Sequence, residues 1–189
     1  MSVQAGILIG GRSKRMGSPK HLLELNGLSF AARLVHAIEP CVEKVHFLGR
    51  GNLPPGFSSY PQHGDAPDIE GPLSGILGAL RAHHSPWLIV ACDLPLLTSA
   101  ACQWLLDQRQ AGISVIIPRD SHGVLQPHFS FFEVGALSLI EEAIAKGTFA
   151  PKDLGQLPFC ASPMLPATIE VQLTNINDSN ALNTLNGTF

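Results

Sequence analysis

The residues best suited to chemistry crowd the mouth of one apolar run. Val3 to Ile9, broken only by Gln4 and Gly6, leads into Gly10-Gly11-Arg12-Ser13-Lys14-Arg15-Met16-Gly17-Ser18-Pro19-Lys20. Glycines at the end of a strand let backbone N–H groups turn toward an anion with no Cβ in the way. Arginine and lysine then neutralise several phosphate oxygens at once; Arg12, Lys14, Arg15 and Lys20 carry that charge here. A glycine pair after a strand is equally a plain tight turn. Cations at fixed offsets favour a cradle for a triphosphate, because a turn has no need of them. The pattern Gly-Gly-x-x-x-Arg-Met-Gly-x-x-Lys is not a Walker A loop, where Gly-Lys-Ser/Thr must follow. It is not the dinucleotide fingerprint G-x-G-x-x-G either.

Asp93 is the second candidate. It stands in Cys92-Asp93-Leu94-Pro95, directly after the uncharged run Trp87 to Ala91. Mg²⁺ takes one or two carboxylates together with phosphate oxygens, so a carboxylate at the exit of a buried strand beside a polyphosphate loop suits it. Asp-x-Pro is also a common turn; the cationic loop tips the balance toward metal binding. Gly71-Pro72-Leu73-Ser74-Gly75 puts small residues in a first helical turn, where backbone can approach a ligand and the helix end favours negative charge. Asp68 and Glu70 read as an exposed acidic turn. The eight histidines show no H-x-x-x-H or H-E-x-x-H spacing, which speaks against zinc. His63, His83 and His84 read as surface or helix-end residues, and His128 as packing on a strand. No G-x-S-x-G elbow or Cys/His pair points to covalent hydrolysis.

The elements that must position these groups alternate between strand and helix. After the strand Val3–Ile9, Phe30, Leu34, Ala37 and Ile38 recur at helical spacing, and Pro40 closes that helix. Strands are expected at Val42–Leu48, near Phe57–Tyr60, at Trp87–Ala91, Ile113–Pro118, Val124–Phe132 and Ile169–Leu173. Helices are expected over Leu73–His84, from the N-cap Thr98 to Gln110, over Glu133–Lys146, and after Asp178 or Ser179 through Ala181, Leu182 and Leu185. Such alternation predicts a parallel sheet flanked by helices with right-handed crossovers. Ligands of such sheets bind outside the carboxyl ends of the strands, where both the Gly10–Lys20 loop and Asp93 fall.

A chain of 189 residues, 45% hydrophobic and 14% charged, reads as one globular domain over 1–189. Its formal net charge of −3 argues against a nucleic-acid binder. No apolar run approaches the ~20 residues of a membrane span, and the cations follow the first apolar stretch, unlike a secretory signal. A cytoplasmic location is expected. Cys41, Cys92, Cys102 and Cys160 form no C-x-x-C pair and read as buried free thiols rather than zinc ligands or disulfides.

Leu8-Ile9-Gly10-Gly11, then Arg15-Met16-Gly17, Lys20 and Leu22-Leu23-Glu24-Leu25-Asn26-Gly27, resemble the opening of the MobA-like nucleotidyltransferases, and within them the molybdenum cofactor guanylyltransferases. Gly71–Gly75, Ala91-Cys92-Asp93-Leu94-Pro95-Leu96-Leu97 and Thr174-Asn175-Ile176-Asn177-Asp178 agree in order and spacing, and Gln126-Pro127 resembles the family's strand near the pterin side. The resemblance implies a Rossmann-like three-layer α/β sandwich with a mostly parallel central sheet, of the nucleotide-diphospho-sugar transferase type. It implies transfer of GMP from Mg·GTP to the phosphate of molybdopterin, the molybdenum cofactor's pterin, with release of pyrophosphate. It also implies delivery proteins for molybdoenzymes as partners. Carried over by position, Leu8, Ile9, Gly10 and Gly11 would hold the nucleotide through backbone, and Lys20 and Arg15 would bind and neutralise phosphates. Asp65 would recognise guanine or ribose, Asp93 would hold Mg²⁺, and Asn175 and Asn177 would lie near the acceptor. The chain departs from the family at Ile9, where alanine is frequent, at Leu48, where a nucleotide-contacting asparagine is expected, and at Gly147–Ala150, which lacks an arginine. A cytidylyl- or sugar-phosphate nucleotidyltransferase on the same scaffold, or a non-catalytic nucleotide-binding adaptor, stays open at this point.

Overall fold

The computed structural model of the chain describes residues 2–9, 19–147 and 150–176. Its centre is a sheet of seven strands in the order β5-β4-β1-β6-β8-β7-β9. These are β1 (Gln4–Leu8), β4 (Lys44–Leu48), β5 (Gln62–His63), β6 (Trp87–Ala91), β7 (Val115–Ile116), β8 (Phe129–Phe132) and β9 (Cys160–Ala161). β5, β4, β1 and β6 run parallel, while β8 is antiparallel to both β6 and β7. A small hairpin, β2 (Glu24–Leu25) with β3 (Leu28–Ser29), stands apart. Its turn is Asn26-Gly27, both at positive φ (52° and 77°), the backbone that a tight two-residue hairpin demands.

The sheet is buried on both faces because its strands alternate apolar residues up and down. Ala5 and Ile7 of β1, Val45 and Phe47 of β4, and Leu88 and Val90 of β6 join one core with α1 (Phe30–Ile38) and α3 (Ser99–Asp107). Leu48, Trp87 and Ile89 face the other way, against α2 (Pro72–Ala82) and α4 (Ala136–Ala145). Three layers result. Two of the helix starts have a local cause: Ser29 Oγ accepts from Ala32 N at 3.1 Å and Thr98 Oγ1 from Ala101 N at 3.4 Å, satisfying first-turn donors that the helix itself leaves open.

Four expected strands need correction, and the simplest is Ile113–Pro118, which narrows to β7, Val115–Ile116. Phe57–Tyr60 is a pair of turns: Phe57 N bonds to Pro54 O and Tyr60 N to Phe57 O at 3.2 and 3.1 Å. Both rings pack edgewise on Phe47, and the strand that pairs with β4 is Gln62–His63 instead. Ile169–Leu173 is helical, split between α6 (Ala167–Glu170) and a 3₁₀ turn (Val171–Leu173). Ile169 and Leu173 bury one face at i, i+4 spacing while Val171 stays 65% exposed, the pattern of a helix and not a strand. The expected Val124–Phe132 strand narrows to β8, because Pro127 has no N–H for a ladder and Phe129 N closes a turn on Gln126 O at 3.1 Å. α3 stops at Asp107, short of the expected end at Gln110. The short α5 (Pro151–Leu154) and β9 carry no signal that periodicity can detect. The final helix expected after Asp178 lies outside the described residues.

α2 is seated with almost no clearance. A Cβ built on Gly78 would lie 2.3 Å from the carbonyl oxygen of Gly64, whereas one on Gly75 would meet the movable side-chain tip of Leu8 at 2.8 Å. Gly78→Ala therefore has to displace backbone. It should lower stability by about 1–3 kcal/mol, as overpacking does, and thermal melts should show Gly75→Ala to be the milder change.

Candidate functional site

The chain runs from β1 outward to β4 and β5, then returns across the sheet to β6 on β1's other side. That reversal falls at the carboxyl ends of β1 and β6, the place where open α/β sheets bind ligands. Ile9 N bonds to Leu48 O at 2.9 Å and Cys92 N to Leu8 O at 3.1 Å, so the exits of β4, β1 and β6 are in register. Lys20 arrives from the segment after β1 and Asp93 from the turn after β6. Lys20 Nζ lies 2.9 Å from Asp93 Oδ2, with side chains 20% and 16% exposed. The two residues therefore meet at the carboxyl ends of β1 and β6.

Their surroundings show why each sits there. Lys20 begins a 3₁₀ turn (Lys20–Leu22) closed by Leu22 N to Pro19 O and Leu23 N to Lys20 O. The next residue, His21, is 1% exposed and pins that turn to the loop after β4, its Nε2 lying 2.8 Å from Asn52 O. Arg33 of α1 donates from Nε to Pro95 O at 3.0 Å and from Nη1 to Leu25 O at 3.4 Å, tying the turn that bears Asp93 to the β2–β3 hairpin. Ile176 N donates to Asp93 O at 3.1 Å, and its buried side chain packs with Leu25 and Phe30. The exposed Asn175 therefore stands one residue from that contact. Sequence reasoning misses His21, Arg33 and Ile176 as positioning residues, because each acts through a partner distant in the chain. The hairpin does have a signal, the Asn-Gly pair.

The second oxygen of Asp93, Oδ1, is buried and has no hydrogen-bond partner among the described residues. Leaving such an atom unsatisfied costs roughly 1–3 kcal/mol. An ionised carboxylate with one oxygen on a lysine and one unsatisfied suits a hard divalent cation, so the residues present fit Mg²⁺.

Asp65 is exposed and lies by α2's first turn, where its Oδ1 would be 3.5 Å from a Cβ built on Gly75. That turn has Gly71 as N-cap at φ 87° with no side-chain cap, and packs on Leu8. Leu8, Leu48, Asp65 and Gly75 therefore adjoin one another at the same strand ends. Asp68 is exposed as expected, and it pairs with Arg81 through both oxygens at 2.6 and 2.9 Å. Gly10, Gly11, Arg12, Lys14, Arg15 and Asn177 lie outside the described residues, as do positions 148 and 149 of the Gly147–Ala150 stretch.

Residues 5–154 match the MobA-like NTP transferase domain. The chain belongs to the MobA-like NTP transferase family. A probable molybdenum cofactor guanylyltransferase of Pelotomaculum thermopropionicum is 35% identical over 73% of this chain and 67% of its own length. The molybdenum cofactor guanylyltransferase of Pseudomonas putida KT2440 is 34% identical over 75% of each chain. A probable one of Flavobacterium johnsoniae is 30% identical over 95% of this chain and 94% of its own. Among solved structures, molybdopterin-guanine dinucleotide biosynthesis protein A of Archaeoglobus fulgidus superposes with a TM-score of 0.74 at 20% identity, covering 97% of each chain. The 2-C-methyl-D-erythritol 4-phosphate cytidylyltransferase of Thermus thermophilus gives 0.71 at 16% identity over 99% and 98%. At these identities the two structures share the fold, the expected mostly parallel three-layer sandwich.

In this MobA-like chain all four cysteines are free, with Cys92 and Cys102 buried and Cys41 and Cys160 half-buried. Burial, aided by the Asp93 charge, pushes the Cys92 thiol up to about 12, so it stays protonated and unreactive beside the site. Burial likewise raises Cys102. Alkylation of the native protein followed by peptide mapping should label Cys41 and Cys160 first, with Cys92 and Cys102 labelled only after denaturation. No helix among the described residues is long and apolar enough to cross a membrane.

Proposed function

We propose that the chain transfers GMP from GTP to the terminal phosphate of molybdopterin or its molybdenum-bearing form, releasing pyrophosphate. The observation that carries this is the Lys20–Asp93 pair at the carboxyl ends of β1 and β6, with Asp93 Oδ1 buried and without a hydrogen-bond partner among the described residues. Relatives named as molybdenum cofactor guanylyltransferases at 30–35% identity support the choice of substrates.

An oxygen of the acceptor phosphate attacks the α-phosphorus of GTP, and the bond from that phosphorus to the bridging oxygen of the β-phosphate breaks. A phosphate monoester is largely dianionic near neutral pH, its second pKa being about 6, so the step needs no general base from the protein. What it needs is stabilisation of the negative charge that gathers on the α-phosphoryl oxygens and on the departing pyrophosphate. Lys20 supplies a cation whose position His21 and the 3₁₀ turn hold fixed. Arg15 and the N–H groups of Gly10 and Gly11 would add charge and donors from the segment after Ile9, and Leu8 and Ile9 would contribute backbone contacts. Asp93 would hold Mg²⁺, which when bound draws charge from the phosphate oxygens. Asp65 would orient base or ribose beside α2, and Asn175 and Asn177 would serve the acceptor side. The cytoplasm and molybdoenzyme-delivery proteins complete this reading as location and partners.

Lys20→Ala and Asp93→Ala should each reduce turnover by on the order of 10²-fold or more, the loss typical when one charge-stabilising group is removed. Their melting behaviour should change little. Near-normal guanylyl transfer by Asp93→Ala would remove it from the metal role. A panel of GTP, CTP, ATP and UTP with Mg²⁺ should show the largest thermal stabilisation with GTP, since a ligand of the folded state raises the melting temperature. Preference for CTP would select the cytidylyl alternative. Nucleotide binding without pyrophosphate release in the presence of molybdopterin would select the adaptor.

A further inference from the structure

On the α2 face of the sheet, His46 of β4, His63 of β5 and His83, the residue closing α2, converge. One ligand nitrogen from each lies within 4.8 Å of the other two. The three are widely separated in sequence, so no linear motif announces them. Nothing in the nucleotide chemistry uses them.

We propose that His46, His63 and His83 form a binding site for a divalent transition-metal ion of the zinc type, separate from Asp93, which clamps the edge strand β5 and the end of α2 to β4.

The ring orientations support ligation. Gln4 Nε2 donates to Glu43 Oε2 at 2.8 Å, which turns Gln4 Oε1 toward His46 Nε2 at 3.0 Å. A carbonyl oxygen only accepts, so His46 carries its proton on Nε2 and presents a lone pair at Nδ1. That lone pair faces His63 Nε2 at 2.9 Å. Two imidazole nitrogens on one tetrahedral zinc, each ~2.0–2.1 Å from the metal, stand ~3.3 Å apart. The 2.9 Å contact is therefore close to the ligated spacing, with a shared proton where the ion would sit. When the ion binds, His63 moves that proton to its own Nδ1 by exchange with water, and both rings remain neutral. The carboxylate–amide–histidine chain Glu43–Gln4–His46 is the kind of outer support that fixes a metal-binding ring. Trp87, fully buried, walls the cluster edge-on at 4.9 Å from the His46 ring. His46 is 2% exposed, whereas His83 is exposed, which leaves a fourth position for water. Lys44 and Glu43 are neighbouring charges of opposite sign, so the lysine does not leave a net positive field against a cation.

The test uses untagged protein stripped with chelator. Titration with Zn²⁺ by calorimetry should show one tight equivalent, and Co²⁺ should give the intense visible absorption of a tetrahedral nitrogen site. His63→Ala and His83→Ala should each weaken Zn²⁺ binding at least ~10-fold, and Gln4→Ala, which releases the His46 ring, should weaken it about 10–100-fold. His83 is exposed, so its replacement leaves the core intact, and circular dichroism checks this. Asp93→Ala and millimolar Mg²⁺ should leave the Zn²⁺ equivalent in place. Absence of a stoichiometric site in the wild-type protein, unchanged affinity in His63→Ala/His83→Ala, or loss of the equivalent in Asp93→Ala would each overturn the proposal.

Discussion

One ion pair across two strand ends organises this chain. A lysine from the segment after β1 and an aspartate from the turn after β6 meet at 2.9 Å, at the point where the connectivity reverses. Both side chains keep some contact with water, at 20% and 16% exposure, and each charge faces its opposite rather than standing alone. Together they hold each other until a ligand arrives. In the proposed reading a polyphosphate would compete for the lysine, and a divalent cation would suit the aspartate, whose other oxygen is buried with no hydrogen-bond partner among the described residues. The pair thus keeps in place the two charges that a nucleotide and its metal would recruit.

The rest of the local structure serves to keep that meeting point narrow. α1 reaches over it through Arg33, which binds the carbonyls of Pro95 and Leu25. The buried His21 anchors the lysine's turn to the loop after β4, and Ile176 brings a late segment of the chain against the backbone of Asp93. On the opposite face α2 presses on Gly64 so closely that Gly78 has no room for a side chain. The exposed Asp65 follows directly, so its placement is set by helix packing rather than by its own bonds. A loop residue positioned by a rigid scaffold is how recognition and stability are kept separate.

How much of this is legible in the sequence depends on the range of the interaction. Of the central strands, Trp87–Ala91 is plain from an uncharged apolar run, as burial on both faces favours, and Gln4–Leu8 and Lys44–Leu48 are plain from mostly apolar runs that also carry Gln4, Lys44 and His46. The Thr98 cap is plain from its hydroxyl ahead of an apolar period. Errors gather where local pattern and tertiary context disagree. Phe57 and Tyr60 look like strand residues but are rings that pack on Phe47 from a turn. Ile169 and Leu173 read as a β-prone stretch, although their spacing equally matches one buried helical face. The Asn26-Gly27 hairpin has a local signal in its turn residues, which apolar periodicity does not register.

The sequence by itself determined the chemical character of the site: a glycine-rich cationic segment behind one buried strand, and a carboxylate behind another. Those depend on residue type and short-range order, which a linear reading contains. Only the tertiary structure decided that Lys20 and Asp93 touch, that one oxygen of Asp93 is buried without a partner among the described residues, and that three histidines far apart in the chain face one another beside Trp87. Each of these follows from strand order and helix seating. Such contacts form between segments with no local pattern in common, because burying apolar faces selects the neighbours and the polar groups follow.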